Sequence, residues 1–227
     1  MLSNKQVGLY VSTISDDPQL IFEHLAIFEK LGINGIHFDV MDGKFVPRLG
    51  LYPELLNSIN SISSLPIEVH LMIEDPNEYV PIFIKSGARR VLVHYEALTN
   101  PRTTFKLIKD LGAQTGLVLN PETNFHEIFS ILDEVEFIML MGINPGIPRH
   151  PLIPLIFEKL TNLRSWLDKE KPEVKIGIDG GVTFENAKHL NIIGAEWLIC
   201  GSGTVFKSGQ SVADNIKKLK EIFANSV

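Results

Sequence analysis

The chain has 227 residues, of which 44% are hydrophobic and 21% charged, and its formal net charge is −6. This composition predicts a globular protein with a large core and excludes an intrinsically disordered chain. An acidic chain without a basic face argues against nucleic acid as a partner, and no apolar stretch is long enough to span a membrane. The single cysteine, Cys200, excludes an internal disulfide, and the N-terminus does not resemble a signal peptide. We therefore expect a cytoplasmic protein.

Eight short apolar runs are spaced along the chain, and each predicts a β-strand. Most of these runs are apolar at nearly every position, which is typical of parallel strands covered by helices. The predicted strands span residues 7–12, 35–40, 67–72, 90–95, 115–119, 136–141, 174–178 and 197–201.

The segments between the strands carry signals for the beginnings and ends of helices. Three helices are expected to begin with a capping side chain followed by a proline at the first helical position. These pairs are Asp17-Pro18, Asp75-Pro76 and Asn100-Pro101. Pro81 is expected to lie in the first turn of the third helix or to kink that helix. Four helices are expected to end at a glycine shortly before the next strand, namely at Gly32, Gly87, Gly112 and Gly194.

The spacing of these glycines indicates a repeated strand–helix unit. The interval from Gly32 to Gly87 corresponds to two units, that from Gly87 to Gly112 to one unit, and that from Gly112 to Gly194 to three units. Eight units of this size fill the chain, and no linker or low-complexity segment interrupts them. Alternating strands and helices predict an α/β architecture, and eight repeats favour a closed barrel over an open sheet. We predict a single (β/α)8 TIM barrel that forms one domain over residues 1–227.

The carboxyl ends of the predicted strands carry side chains that can bind a metal. His37 and Asp39 lie two apart at the end of the second strand and therefore point to the same side. His70 ends the third strand, and Asp179 ends the seventh. A lone histidine on a strand is usually a hydrogen-bonded core residue, but two histidines and two aspartates at one barrel mouth need a counter-charge. This donor set suits Zn, Fe, Mn or Co, so we predict one divalent metal ion.

Glycine-rich turns follow the seventh and eighth strands and predict a phosphate site. Gly180 and Gly181 come directly after Asp179, and Gly201-Ser202-Gly203 follows the last strand. Loops at these two positions commonly bind phosphate in barrels through backbone N–H groups, which glycine allows to approach closely. Turn formation alone could also explain these glycines, but their positions favour phosphate binding.

Several motifs occur together in one order over about 190 residues of the chain. They are VSTISDD, HFDVMDGKFVP, EVHLMIEDP, GLVLNPET, MLMGINPG, IGIDGGV and CGSG. With these motifs the sequence resembles the ribulose-phosphate 3-epimerase family, including relatives such as allulose-6-phosphate 3-epimerase. The resemblance implies a metal-dependent isomerase of carbohydrate metabolism that inverts C3 of a ketose phosphate. The expected reaction converts D-ribulose 5-phosphate to D-xylulose 5-phosphate, in the pentose phosphate pathway.

The resemblance also implies roles for individual residues. The metal ligands would be His37, Asp39, His70 and Asp179, and the two aspartates would also be the acid and base on opposite faces of the sugar. Further substrate contacts are implied for His70 and for residues of the pocket wall and phosphate loops. These residues are Ser12, Met41, Met72, Met141, Gly180, Gly181, Gly201 and Ser202. Gly146 and Arg149, in the loop after the sixth strand, are added as candidate substrate contacts on their position rather than on the resemblance. The family resemblance implies a homo-oligomer as well.

The loop after the sixth strand departs from the family pattern. The family commonly has NPGFGGQ, whereas this chain reads Asn-Pro-Gly followed by Ile147, Pro148, Arg149 and His150. Arg48 stands where the family commonly has asparagine. Three interpretations remain open: Arg149 binds the phosphate directly, the substrate is a different sugar phosphate, or loop closure is impaired.

Two alternative functions follow from these observations. A six-carbon sugar phosphate such as allulose 6-phosphate could be the substrate, or the chain could bind a sugar phosphate with little turnover. A related aldolase or decarboxylase would carry an Asp-x-Lys-x-x-Asp arrangement on a strand, and the sequence has none.

Overall fold

The computed structural model describes residues 7–224, and its centre is a closed barrel of eight parallel strands in chain order. The ends of the predicted domain, residues 1–6 and 225–227, lie outside the described residues. The strands are β1 (Gly8–Ser12), β2 (Gly35–Met41), β3 (Ile67–Met72), β4 (Arg90–His94), β5 (Gln114–Leu119), β6 (Phe137–Met141), β7 (Lys175–Asp179) and β8 (Trp197–Cys200). All eight predicted strands are confirmed to within one residue at each end, and so is the (β/α)8 fold.

Helices connect the strands and cover the outside of the barrel. The α-helices in residues 7–224 are α1 (Ile21–Lys30), α2 (Pro53–Ile62), α3 (Pro76–Lys85), α4 (Pro101–Asp110), α5 (Leu155–Glu170), α6 (Ala187–Ile192) and α7 (Val212–Ala224). A 3-10 helix, Phe125–Glu134, replaces the α-helix between β5 and β6. None of the helices in this described range is long and apolar enough to cross a membrane.

The predicted helix signals are confirmed in most places. Asp75 accepts a hydrogen bond from the Asn77 amide at 3.2 Å, and Asn100 accepts one from the Thr103 amide at 3.3 Å. Each therefore caps a helix that begins at the following proline. The predicted helix-ending glycines all have positive φ angles, as this type of helix ending requires: Gly32, Gly87, Gly112 and Gly194.

One prediction about helix starts is wrong in detail, and one of the two alternatives for Pro81 is excluded. Asp17 does not cap α1, because its side chain accepts from the Gln19 amide at 3.0 Å and its carbonyl from the Leu20 amide at 2.9 Å. These bonds form a separate turn, and α1 begins only at Ile21, the first residue that the core buries. Pro81 lies in the middle of α3 rather than in its first turn, and the helix continues through it.

The core has two layers, one on each side of the barrel wall. The larger layer lies between the strands and the helices. A smaller cluster fills the barrel interior, where Phe137 packs edge-on against Trp197 with ring centroids 5.4 Å apart. Because side chains alternate along a strand, the same strands contribute to both layers. The interior of the barrel is thus filled by side chains rather than open to solvent.

Candidate functional site: a pocket at the carboxyl ends of the strands

A cavity of about 730 Å³ opens at the carboxyl ends of the strands. This is the end of a barrel where strand ends and loops build active sites. Twelve residues singled out from the sequence line the cavity: Ser12, Asp39, Met41, Met72, Met141, Gly146, Arg149, Asp179, Gly180, Gly181, Gly201 and Ser202. The two predicted histidines, His37 and His70, are fully buried and lie behind the aspartates.

Strand register brings the two histidines and two aspartates together. Asp39 of β2 lies beside His70 of β3, and Asp179 ends β7 on the other side of the mouth. The Nε2 atom of His37 lies 3.2 Å from Asp39 Oδ1, 3.3 Å from His70 Nδ1 and 3.6 Å from Asp179 Oδ2. His70 Nδ1 lies 3.3 Å from Asp179 Oδ2 and 3.5 Å from Asp39 Oδ1.

These donor atoms fit a divalent metal ion. One ligand atom from each of the four residues lies within 4.8 Å of the others. Ligands about 2.1 Å from a central ion in a tetrahedron are separated by roughly 3.4 Å. The distances that involve the two histidines, 3.2 to 3.6 Å, are close to this value. Within residues 7–224, no lysine or arginine forms an ion pair with either Asp39 or Asp179. The two carboxylates thus require a positive charge that a cation can supply.

The electrostatics of the cluster also favour a bound positive charge. Burial opposes a charge on His37, but the carboxylates of Asp39 and Asp179 outweigh it and raise the pKa of His37 well above its ordinary value. Burial likewise opposes ionisation of Asp39, and His37 outweighs that effect, which lowers the pKa of Asp39 well below its usual range. The site between the carboxylates therefore attracts positive charge, either a proton or a metal ion.

A buried carboxylate orients His37. Glu68 of β3 accepts from His37 Nδ1 at 2.8 Å, which leaves Nε2 facing the cluster. Arg90 of β4 in turn donates to the other oxygen of Glu68 at 2.6 Å. The Arg90 guanidinium lies 3.4 Å from the centre of the Phe137 ring. Partners of this kind fix the ring orientation of metal-binding histidines.

His70 has a longer chain of partners. Its Nε2 atom lies 2.9 Å from Nε2 of His94 at the end of β4. The Nδ1 atom of His94 is 3.2 Å from Glu96 Oε2. Burial lowers the pKa of His94 to about 4. Burial opposes ionisation of Glu96, but hydrogen bonds from His94 and Thr123 lower its pKa to about 2.

The wall of the pocket above the cluster is formed by methionines and one serine. Met41, Met72 and Met141 end β2, β3 and β6, and each is less than a tenth exposed. The Ser12 hydroxyl donates to Asp39 Oδ2 at 2.8 Å. This bond fixes one oxygen of Asp39, while the other faces the histidines.

The glycine turns after β7 and β8 form the opposite side of the cavity. Gly181 has φ 70°, and a Cβ at this position would lie 2.6 Å from the backbone of Leu152. Only glycine fits this turn. Within the described range, the N–H groups of Gly181, Ser202 and Gly203 donate no hydrogen bond to the protein. They remain available to an anion, as a phosphate site requires.

The loop after β6 lies over this end of the cavity. Gly146 approaches Val46 of the loop after β2 so closely that a Cβ would lie 2.6 Å from the valine Cβ. Arg149 is exposed and has φ 62°, a left-handed conformation that favours glycine. Arg48 also lines the cavity. Both arginines that depart from the family pattern thus line the same cavity.

Comparison with known proteins identifies the family. The model of the ribulose-phosphate 3-epimerase family matches residues 9–206. The chain belongs to this family. Ribulose-phosphate 3-epimerase of Bacillus subtilis is 37% identical over 212 residues, which cover 93% of this chain and 95% of the relative. The chloroplastic ribulose-5-phosphate-3-epimerase of Arabidopsis thaliana is 38% identical over 220 residues, or 96% of this chain and 78% of the relative.

Solved structures support the fold of this epimerase-family chain. A mutant tryptophan synthase α-subunit from Pyrococcus furiosus matches with a TM-score of 0.66 and 17% identity, covering 99% of this chain and 100% of that structure. N-(5'-phosphoribosyl)anthranilate isomerase from the same organism matches with a TM-score of 0.68 and 16% identity, covering 97% and 100%. At such identities the likeness concerns the barrel alone. The predicted family, isomerase class and barrel are therefore confirmed.

Three residues of this site were not identified from the sequence. Glu68, Arg90 and Glu96 look in the sequence like ordinary strand and loop residues. His94 ends the fourth predicted strand and so faces the same mouth, where the sequence allows either a partner of the metal ligands or an ordinary hydrogen-bonded histidine. The sequence signal that could have revealed Glu68 is its place two residues before His70, which puts both side chains on the same side of the strand. In the structure Glu68 is 1% exposed.

Proposed function

We propose that the chain interconverts D-ribulose 5-phosphate and D-xylulose 5-phosphate by inverting C3, with Asp39 and Asp179 as acid and base. The observation that carries this proposal is the meeting of these two aspartates, from β2 and β7, at the floor of the cavity with His37 and His70. The names of the similar proteins from Bacillus subtilis and Arabidopsis thaliana support the substrate.

The two aspartates can act on opposite faces of a sugar between them. One carboxylate removes the C3 proton, and the C–H electron pair moves toward the C2 carbonyl to give an enediolate. The other aspartate, protonated, delivers its proton to the opposite face of C3, which inverts the configuration. After turnover the two residues have exchanged protonation states, so the same pair serves the reverse reaction.

The residues that would hold a divalent metal ion are His37, Asp39, His70 and Asp179. A bound divalent ion supplies Lewis-acid stabilisation of negative charge next to the reacting carbon. Ser12 orients Asp39 through its hydrogen bond to Oδ2. The buried histidines exclude water behind the aspartates, which strengthens the electrostatic interactions there.

Other residues would bind the rest of the substrate. The amides around Gly180, Gly181, Gly201 and Ser202 suit the phosphate, and the charge of Arg149 suits it as well. The methionines Met41, Met72 and Met141, together with Gly146, would line the space around the reacting carbons. Their soft, polarisable sulfurs suit a planar intermediate.

Deuterium incorporation tests this function. Metal-loaded protein in heavy water should convert D-ribulose 5-phosphate to D-xylulose 5-phosphate that carries deuterium at C3. Asp39→Asn and Asp179→Asn should lower the rate by roughly 10²- to 10⁴-fold, the usual contribution of an acid or base. Asp110→Asn, an exposed aspartate at the end of α4, is the matched control. Absence of exchange with metal bound would reject the pentose substrate and favour a six-carbon sugar phosphate or binding without turnover.

Three broader properties are also proposed. We infer that residues 1–227 form one catalytic domain, that the chain forms a homo-oligomer, and that it acts in the cytoplasm. Leu49, Tyr52 and Ile62 support the oligomer, since each is more than half exposed despite its apolar side chain. The free, buried thiol of Cys200 fits a reducing compartment. A solution mass equal to the 25.4 kDa monomer would contradict the oligomer.

A further inference from the structure

A line of polar side chains leads from the candidate metal cluster toward the loop after β5. It begins at His70, passes through His94 and ends at Glu96. His94 is fully buried, and its ring is nearly parallel to that of His70, with an interplanar angle of 19° and centroids 5.0 Å apart. Phe45 packs on His94 at 4.8 Å. The His94 ring is thus held between two neighbours.

Hydrogen-bond donors and acceptors along this line allow one arrangement for neutral imidazoles. The Glu96 carboxylate can only accept, so Nδ1 of His94 carries the proton and donates to it. Nε2 of His94 is then an acceptor, and Nε2 of His70 must donate to it. Consequently Nδ1 of His70, the atom that faces Asp39 and Asp179, has a free lone pair.

Glu96 is held so that it cannot reverse this arrangement. Its Oε1 atom accepts from the Asn120 amide at 2.9 Å and from the Thr123 hydroxyl, which leaves Oε2 for His94. The loop that provides these donors is itself fixed by Lys159, whose Nζ donates to the carbonyl of Asn120 at 2.7 Å. Both oxygens of Glu96 are therefore engaged as acceptors.

His37 shows that the arrangement at His70 is a specific one. His37 has its carboxylate, Glu68, directly on Nδ1 and turns Nε2 toward the cluster. His70 turns the opposite nitrogen, Nδ1, toward the same point, and a second imidazole separates it from its carboxylate. Each histidine of the cluster thus has a carboxylate of its own, and this carboxylate decides which ring nitrogen faces the candidate metal position without a proton.

We propose that His94 and Glu96 are positioning residues that hold His70 in the tautomer whose Nδ1 can bind the metal ion. This inference rests on the proposed function, because it assigns the cluster to a metal. Neither residue is required to touch the substrate: they act through His70 alone. The loop after β5 would thereby contribute to metal affinity although it provides no ligand.

Glu96→Gln tests the proposal with almost no change of shape. The glutamine keeps one acceptor, which the Asn120 amide and the Thr123 hydroxyl require, and it then presents an N–H group to His94. His94 must shift its proton to Nε2, which places two donors between His94 and His70 and forces the proton of His70 onto Nδ1. We expect the dissociation constant for Zn²⁺, measured by competition with a chelator, to rise about 10- to 100-fold.

Two substitutions of His94 separate positioning from loss of structure. His94→Gln offers an oxygen acceptor toward His70 and an N–H donor toward Glu96, so it should bind Zn²⁺ nearly as the unchanged protein does. His94→Leu offers neither and should weaken binding as Glu96→Gln does. Glu221→Gln, on the exposed face of α7, is the control for loss of one negative charge. Equal Zn²⁺ affinity in Glu96→Gln, His94→Leu and the unchanged protein would overturn the proposal.

The imidazole tautomers provide a readout independent of metal and turnover. Two-bond ¹H–¹⁵N correlation spectra should show the His94 proton on Nδ1 in the unchanged protein and on Nε2 in Glu96→Gln. A proton on Nε2 of His94 in the unchanged protein would overturn the proposal. If Zn²⁺ binds and deuterium exchanges normally but the variants behave like the unchanged protein, the positioning role fails and the proposed function stands. Loss of deuterium exchange in protein with the expected His94 tautomer would reject the function alone.

Discussion

Arg149 combines a long, charged side chain with a backbone conformation that favours glycine. Its φ of 62° is the conformation that glycine adopts easily. A non-glycine residue in this region costs about 1 kcal/mol or more. Its side chain lines the cavity that also contains Gly181 and Ser202. A strained residue with a guanidinium beside a candidate phosphate site suggests that the charge is retained for binding.

Arg149→Gly is therefore expected to separate binding from stability. Loss of a charge-assisted hydrogen bond to phosphate should raise KM for D-ribulose 5-phosphate about tenfold or more, with little change in kcat. The glycine relieves backbone strain, so the free energy of unfolding should not fall. Arg149→Lys keeps the charge and the strain, and its KM should rise less. An unchanged KM in the glycine variant would show that Arg149 does not bind the phosphate.

The residues of the site differ in how far the sequence reveals them. His37, Asp39, His70 and Asp179 could be selected because their residue types at strand ends already indicate a metal. Glu68 and Glu96 are harder to select, because a glutamate in a loop or on a strand has many uses. The register of β2 and β3 brings Glu68 to His37, and the pairing of β3 with β4 brings His94, with Glu96 two residues after it, beside His70.

At the scale of single elements, α5 carries an unusual buried charge. Lys159 is 7% exposed, and its Nζ donates to the carbonyls of Asn120 and Pro121 rather than to a carboxylate. Burial lowers its pKa to about 8, although Glu96, Glu122 and Glu127 oppose the shift. Through these two hydrogen bonds α5 holds the loop after β5 in place. The ammonium group that makes them is poorly solvated, which destabilises its charged form.

The pH dependence of stability should reveal this lysine. Its pKa is lower in the folded state than the ordinary lysine value of 10.5, so between pH 8 and pH 10.5 the unfolded chain binds more protons than the folded one. Stability must then rise with pH in that window, relative to a variant without the amine. From pH 8 to pH 10 we expect the free energy of unfolding of the unchanged protein to rise relative to that of Lys159→Met. Parallel curves in urea denaturation would contradict the lowered pKa.

Helix boundaries show where local sequence signals are sufficient. Asp75-Pro76 and Asn100-Pro101 predict helix starts correctly, because each cap bonds to an amide in the first turn. Asp17-Pro18 carries the same signal but forms a separate turn, and burial of Ile21 sets the start of α1. Packing against the barrel therefore overrides a local capping signal at this position.

At the scale of the whole molecule, the repeat of strand and helix was enough to predict the barrel. Eight apolar runs separated by helix-ending glycines leave few other arrangements, because parallel strands need helical crossovers. The ligands then converge because β7, β8, β1, β2 and β3 are neighbours in the closed sheet. A cation between His37, Asp39, His70 and Asp179 would thus join distant parts of the chain.

Metal binding should consequently stabilise the entire barrel. An ion at about 100 times its dissociation constant adds about 2.7 kcal/mol to the free energy of unfolding, if the unfolded chain does not bind it. For a domain of this size that corresponds to a rise in Tm of about 5–10 °C. Removal of metal with a chelator should reverse the rise, and Asp179→Asn should abolish most of it because one ligand is lost. Asp110→Asn changes an exposed residue at the end of α4 that is not one of the candidate ligands, so this variant should keep the full rise in Tm. A Tm that is insensitive to Zn²⁺, Mn²⁺, Fe²⁺ and Co²⁺ would mean that the cluster does not bind these ions in the folded state.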